Sequence, residues 1–211
     1  MTGTQIKQMA ENILDGDTID EVFFYNVLNS AKDQIEDSRP WMFLRKLDTG
    51  TTAVAGSALS LPTDWRMTWK LYVGQDQQYI QVPFDQLHLY RNETHRFVVD
   101  VASGTYTILG TVGGSNTVYH YYLKTTDDVT SDTSPVWPAR FHPILAYYVA
   151  GYVQMGVDSD DLFARMAPEN KVQAQSLLSS MERWDSNLQM REQNGQIAID
   201  NTQPVFDLGM L

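Results

Sequence analysis

The fold is decided by one stretch of the chain, PVWPARFHPILAYYVAGY at residues 135–152. Pro135 and Pro138 favour an extended backbone in the segment that leads into the helix. Pro143 stands in the first turn of that helix, where a missing N–H is tolerated. The residues that follow Pro143 are apolar on most faces, which predicts a central and largely buried helix. Short β-type segments precede this stretch, and the pattern after it is helical to about Met190.

Two helical patterns open the chain. Residues 3–14 carry apolar side chains at helical spacing, and a second apolar stripe runs from Val22 to Ile35. Asp17 or Thr18 is expected to cap the second helix, and Asp20 and Glu21 suit its positive end. Arg39-Pro40 breaks it. A short hydrophobic segment comes next and is expected to pack under the helices; its apolar residues are Trp41, Phe43, Leu44 and Leu47.

Two further helices are expected beyond the central one. Asp158 to Asp161 provide caps for a short helix that runs through Met166. Pro168 begins a last helix, which Asn194-Gly195 stops. Its expected apolar positions are Val172, Leu177, Leu178, Met181, Trp184 and Leu188.

From Thr49 onward the hydrophobic pattern repeats every two residues, as in β-strands, and no longer follows the helical spacing. Five strands are predicted at Trp65–Val73, Gln78–Val82, Arg96–Val101, Thr105–Leu109 and Thr117–Leu123. Turns are expected at 74–76, 103–104 and 113–116, and the first of them makes Gln78–Val82 the return strand of a hairpin. Pro83–Tyr90 suggests a short helix. We expect a compact antiparallel module, since no long helix separates the strands.

Composition excludes several classes of function. The chain has 211 residues, 43% of them hydrophobic, and a formal net charge of −11. This acidity argues against generic binding to a phosphate backbone. The absence of cysteine excludes disulfides, thiolate metal sites and thiol nucleophiles. No signal-peptide core and no membrane-spanning apolar run is present, so a soluble intracellular protein is expected.

One motif suggests catalysis. Asp48-Thr49-Gly50 resembles the aspartic-protease triplet, and Ile108-Leu109-Gly110 resembles the element that supports it in single-domain retroviral-type proteases. Such an enzyme pairs two carboxylates across a dimer to activate water. However, Lys46 replaces an apolar residue and the preceding segment looks helical. An ordinary helix-to-strand turn is the stronger interpretation of Asp48 and Gly50.

The remaining polar motifs do not form a catalytic site. Histidines 88, 95, 120 and 142 lack the short spacing of metal ligands. The Asp158–Asp161 run lacks the downstream ligands of a calcium loop. No phosphate-binding glycine loop and no nucleophile elbow is present. We therefore predict a protein that is not an enzyme and uses no cofactor or metal.

These patterns predict an α+β fold: an α-helical bundle with an inserted antiparallel β module and an extended C-terminal arm. The bundle takes residues 1–48 and 126–193, the β module 49–125 and the arm 194–211. The end of the arm is more apolar than a solvated tail, since it contains Pro204, Val205, Phe206, Leu208, Met210 and Leu211. It either packs on its own subunit or orders on a partner.

The order of these parts resembles the head-to-tail connector, or adaptor, proteins of tailed bacteriophages. The resemblance covers most of the chain and rests on three segments. These are LPTDW at 61–65, the strand that ends in Tyr-Tyr-Leu123, and the entry from Pro138 to Ile144, which has the pattern Pro-x-x-Phe-His-Pro-Ile.

The resemblance implies a structural virion protein of the neck, assembled in the host cytoplasm. Such adaptors form rings, commonly dodecamers, beneath the portal protein. They extend the channel through which genomic DNA passes without sequence-specific binding, and they dock the next neck or tail protein. Their C-terminal segments commonly contact the portal. For this chain the resemblance implies a portal-binding arm at Gln196–Leu211, and no membrane partner.

Two other functions stay open from the sequence. A stopper, tail-completion or baseplate component would share the ring architecture and bind other partners. The dimeric protease that uses Asp48 is the remote alternative.

Overall fold

The computed structural model describes residues 1–53, 58–74, 78–110, 116–155 and 168–193, with the side chains of 50–53 and 155 left aside. The fold is α+β, as the sequence predicts. The chain divides into two compact units. The helical unit comprises Met1–Phe43 and Asp127–Leu211, and the β unit comprises Leu44–Thr126.

The elements follow the chain in this order: α1 (Gly3–Ile13), α2 (Glu21–Asp37), β1 (Arg45–Ala53), β2 (Ala58–Ser60), β3 (Trp65–Val73), β4 (Ile80–Val82), α3 (Leu87–Tyr90), β5 (Arg96–Asp100), β6 (Thr105–Leu109), β7 (Asn116–Lys124), α4 (Pro143–Met155) and α5 (Pro168–Gln193). Single 3-10 turns lie at Met42–Leu44, Phe84–Gln86 and Ala139–Phe141.

Helix α4 is the centre of the helical unit, as its all-round apolar pattern predicts. It contacts α1, α2 and α5. Ile144, Leu145, Tyr148 and Val149 are fully buried, because these neighbouring helices cover most of its faces. Pro143 is its first residue, where the helix needs no N–H from it.

The first two helices begin at side-chain caps. Thr2 and Gln5 form a capping box at α1. At α2 the Asp20 carboxylate accepts a hydrogen bond from Phe23 N at 2.9 Å, so the predicted cap at Asp17 or Thr18 is wrong. The turn at Asp15 and Gly16, both at positive φ, moves the start of α2 further along the chain, so that Asp20 takes the capping position.

The β unit packs two sheets against each other. One has the strand order β1-β7-β3 and is antiparallel throughout, and the other has the order β2-β6-β5-β4. The core between the sheets contains Leu71, Val73, Phe97, Ile108 and Val118. Strands β3, β6 and β7 agree closely with the predicted segments.

The expectation of a purely antiparallel module is wrong at β4. This strand pairs in parallel with β5, and Tyr79, the residue before it, forms an isolated antiparallel bridge with Leu71 of β3. The 3-10 turn at Phe84–Gln86 and helix α3 form the crossover that a parallel pair requires. The predicted short helix at 83–90 is thus the feature that changes the pairing.

Strand β1 also differs from expectation. It begins at Arg45, so the segment before Asp48 is extended rather than helical. Eight of its nine residues pair with β7, which a short hydrophobic segment packed under the helices would not indicate.

Several predicted elements fall outside the described residues, namely the turn at 113–115, the short helix at 158–166 and the arm at 194–211. Among the helices that are described, none is both long and apolar enough to cross a membrane.

Candidate functional site

The predicted portal-binding residues, Pro204, Val205, Phe206, Leu208, Met210 and Leu211, lie outside the described residues. The acidic run at Asp158–Asp161 lies there as well. The sites that the structure does describe are in the two compact units.

Asp48 lies inside strand β1 and is paired with His120 of β7. It is therefore not part of a helix-to-strand turn. Paired residues of neighbouring strands project to the same face of a sheet, and His120 is 1% exposed. Asp48 thus projects to the same side as His120 and is half-buried within a paired strand, not held in an open loop. This geometry does not support the paired-carboxylate protease site.

The four histidines occupy unrelated positions. His88 is exposed on α3, His95 packs against the ring of Tyr79, and His120 is buried in the β unit. His142 is buried in the helical unit, where Nε2 lies 2.9 Å from Trp137 O. In the part of the chain that the structure describes, no group of His, Asp and Glu side chains has the arrangement of a metal site.

A buried polar network surrounds His120. Trp65 Nε1 donates to Thr68 Oγ1 at 3.1 Å, and this hydroxyl lies 2.8 Å from His120 Nε2. The Nδ1 atom of His120 is buried and has no hydrogen-bond partner among the described residues. Burial lowers the pKa of His120 to about 4, so the ring is neutral at neutral pH. A neutral imidazole with one bond to a hydroxyl serves packing rather than proton transfer.

Asp64 joins the ends of the same sheet. Its carboxylate accepts from Lys46 Nζ and from Tyr122 Oη, each at 2.8 Å. Burial would raise the pKa of Asp64, but the bonds from Lys46 and Tyr122 outweigh it and hold this pKa below its usual value. Burial and the neighbouring Asp64 raise the pKa of Tyr122. Asp64 therefore links three strand-end segments as a carboxylate.

The connection after β7 is held more firmly than its polar sequence indicates. Three polar side chains of α2 hold it: Asn29 bonds both N and O of Val129, Lys32 Nζ donates to Asp127 O at 2.9 Å, and Glu36 accepts from Trp137 Nε1 at 2.8 Å. Lys32 and Glu36 are 1% and 3% exposed. Their i,i+4 spacing resembles a solvated pair, so the sequence gives no signal of this role.

A buried carboxylate anchors helix α5. Asp185 is fully buried, accepts from Met42 N at 2.7 Å and lies 3.3 Å from Arg39 Nη2. The predicted apolar stripe of α5 is only partly right. Met181 and Leu188 are buried, whereas Val172 is 63% exposed. Near Val172 the buried positions are Asn170 and Ala174, and further along the helix Asp185 takes a buried position between Met181 and Leu188.

The most distinctive surface is the outer face of the β1-β7-β3 sheet. Arg45 Cζ lies 3.6 Å and Lys70 Nζ 4.4 Å from the centroid of the Trp69 ring. Tyr121 makes edge-to-face contacts with Trp69 and Tyr72, at 6.5 and 6.0 Å. We call these five residues the aromatic–cationic face.

A β-bulge places Trp69 on this face. The register of β3 shifts between Thr68 and Lys70, which leaves Trp69 without a partner in β7. Tyr119 and Met67, 36% and 49% exposed, extend the same face. The cations over the Trp69 ring form cation–π contacts, which help to hold these side chains in place on the face.

A helical body with an inserted β unit and a half-buried aromatic–cationic face fits the class of structural assembly proteins. The chain's membership is more specific. The family model described as SU10 adaptor protein matches residues 1–197, and the chain belongs to this phage head-to-tail adaptor family. No individually curated protein matches the chain. The family assignment confirms the resemblance drawn from the sequence and makes the chain a structural adaptor of the virion neck.

Proposed function

We propose that this adaptor forms a homo-oligomeric ring, expected to be a dodecamer, beneath the portal. The ring extends the DNA channel and provides the docking platform for the next neck or tail protein. Membership in the SU10 adaptor family over residues 1–197 is the observation that supports this function. Assembly from one repeated subunit suits the chain, because one pair of complementary surfaces per copy closes a ring.

The arm at residues 196–211 is proposed as the portal anchor. Its apolar residues Val205, Phe206 and Leu208 follow the helix-stopping Asn194-Gly195 in sequence, and apolar side chains of this kind serve as anchors in peptide recognition. Twelve such arms on one ring would bind firmly even if each binds weakly, because the first contact raises the effective concentration of the rest.

The proposed channel does not bind DNA sequences. The net charge of −11 gives the chain few spare cations for phosphate contacts, so DNA can pass without being held. Assembly is proposed to take place in the host cytoplasm, where the portal is available.

Native mass spectrometry of the chain with its cognate portal tests the ring and the arm. The full chain is expected to give a stoichiometric ring complex. A triple variant, Val205→Ser, Phe206→Ser and Leu208→Ser, is expected to lose portal binding, whereas Asn201→Ala with Thr202→Ala in the same arm should keep it.

Two results would contradict these proposals. Unchanged portal binding by the triple variant would remove the arm assignment. A full chain that never associates with the portal would favour the tail-completion or stopper function instead.

A further inference from the structure

The charge of the chain is divided unequally between its two units. The β unit, Leu44–Thr126, carries seven Lys and Arg against six Asp and Glu. The remainder of the chain carries eight against twenty. The whole acidic surplus of the protein is therefore outside the β unit. A contact between the β unit of one copy and the acidic unit of another therefore avoids the repulsion expected between two acidic units.

The aromatic–cationic face is the natural docking surface on the β unit. Arg45 and Lys70 supply its positive charge, and the rings of Trp69, Tyr72 and Tyr121 supply the contact area. Aromatic residues and arginine are enriched in the centres of protein interfaces, where lysine is more often at the rim.

The helical unit offers a complementary corner at the start of α2. Asp15, Asp17, Asp20 and Glu21 are all exposed there. Two apolar side chains follow directly, Val22 at 70% and Phe23 at 37% exposure. We call residues 15–23 the acidic corner. It places carboxylates beside apolar groups, just as the aromatic–cationic face places cations beside rings.

We propose that the aromatic–cationic face of one copy binds the acidic corner of a second copy. This inference rests on the proposed ring and names the surfaces that would form it. The contact uses a different patch on each copy, so it is heterologous and generates a ring when the rotation closes. Charge sets the register of the contact, and the apolar groups on both sides supply buried area.

DNA is a weaker occupant for the same face. Non-specific binding of single strands needs aromatic faces that are free to stack on bases. Both Arg45 and Lys70 lie over the ring of Trp69, at 3.6 and 4.4 Å. The β unit also has a surplus of only one cation, which is little for phosphate binding.

Site-specific photo-crosslinking in the assembled portal complex tests the contact. A photoreactive amino acid replaces Met67, which is 49% exposed beside the face, and mass spectrometry identifies its target. Crosslinks to residues 15–23 of another copy are expected. The control places the same group at Val101, which is 70% exposed in the turn after β5, and should not reach residues 15–23.

Charge reversal provides a second measurement. Lys70→Glu and Asp17→Lys are each expected to weaken association between copies about tenfold, and the double variant should recover most of the loss. The matched controls are Lys124→Glu in the β unit and Asp132→Lys in the helical unit, which make the same changes of charge elsewhere. Thermal denaturation of each variant verifies that the monomer still folds.

The outcomes separate this inference from the proposed function. If the ring forms with the portal but Met67 crosslinks to DNA, to another protein or to a different part of the adjacent copy, the inference is wrong and the ring stands. If association between copies never occurs, both fail. Equal effects of the test and control reversals would also overturn the inference, because only total charge would then matter.

Discussion

Protonation of His120 is expected to destabilise the β unit as the pH falls below neutral. The side chain is 1% exposed and lies 4.9 and 5.4 Å from the ring centres of Tyr106 and Tyr122. Burial lowers its pKa from 6.5 to about 4, because the imidazolium ion loses its hydration. The unfolded chain therefore takes up this proton at a higher pH than the folded chain does.

The magnitude follows from linkage. Above about pH 6.5 both states hold a neutral ring and the group has no effect; below it the unfolded state gains a proton, so the free energy of unfolding decreases. The decrease approaches about 1.4 kcal/mol per pH unit and totals about 3 kcal/mol once the pH is below both pKa values. Between about pH 7.5 and about pH 5, the expected loss is about 2 kcal/mol.

Urea denaturation of the full chain and of His120→Gln, at these two pH values, measures this loss. Hydrogen exchange in the β7 segment 116–124 assigns the transition to the β unit. Glutamine stays neutral and keeps a polar group near Thr68, so its variant should lose about 2 kcal/mol less than the wild type on acidification.

The comparison between the two proteins isolates His120. His142, whose pKa burial also lowers, is present in both and cancels. The pKa of Asp64 lies below its usual value, so this carboxylate titrates beneath the pH interval. Equal losses in wild type and variant would refute the reasoning.

Two further substitutions test the anchors of each unit. Asp185→Ala should lower the free energy of unfolding by about 3 kcal/mol, because it leaves the Arg39 guanidinium and the Met42 N–H without their partner. Asn187→Ala, at an exposed position of the same helix, should change it by less than about 0.5 kcal/mol. Urea denaturation measures both variants, and similar losses would contradict the role of Asp185 as an anchor. Gly110→Ala should cost about 2 kcal/mol or more, because φ is +72° and a Cβ would lie 2.5 Å from Glu93 O. Gly104→Ala, at φ +65° with open space around it, should cost about 1 kcal/mol in the same assay, and a Gly110 variant no worse than this would remove the steric part of the argument.

The helices were the most predictable part of the fold, and the caps the least. The apolar pattern after Pro143 correctly gave α4 its central place, because a helix that is apolar on most faces can only be stable when covered. The position of the α2 cap was wrong, since three candidate residues, Asp17, Thr18 and Asp20, share the same chemistry.

The surfaces were predicted less well than the elements. Period-two patterning located β3, β6 and β7, but it could not show that β4 pairs with β5 in parallel. The aromatic–cationic face depends on a bulge at Trp69 and on the approach of Arg45 from another strand. Neither follows from local sequence, because strand register is a long-range property.

The sequence by itself determined the α+β class, the order of the helical and β segments, the net acidity and the relationship to phage adaptors. These features depend on composition, periodicity and motif order, which are written along the chain. Only the tertiary structure decided that Lys32, Glu36 and Asp185 are buried, that Asp48 lies within a paired strand and that two cations lie over Trp69. The physical reason is that a polar side chain is buried or exposed according to the partners that distant segments bring to it.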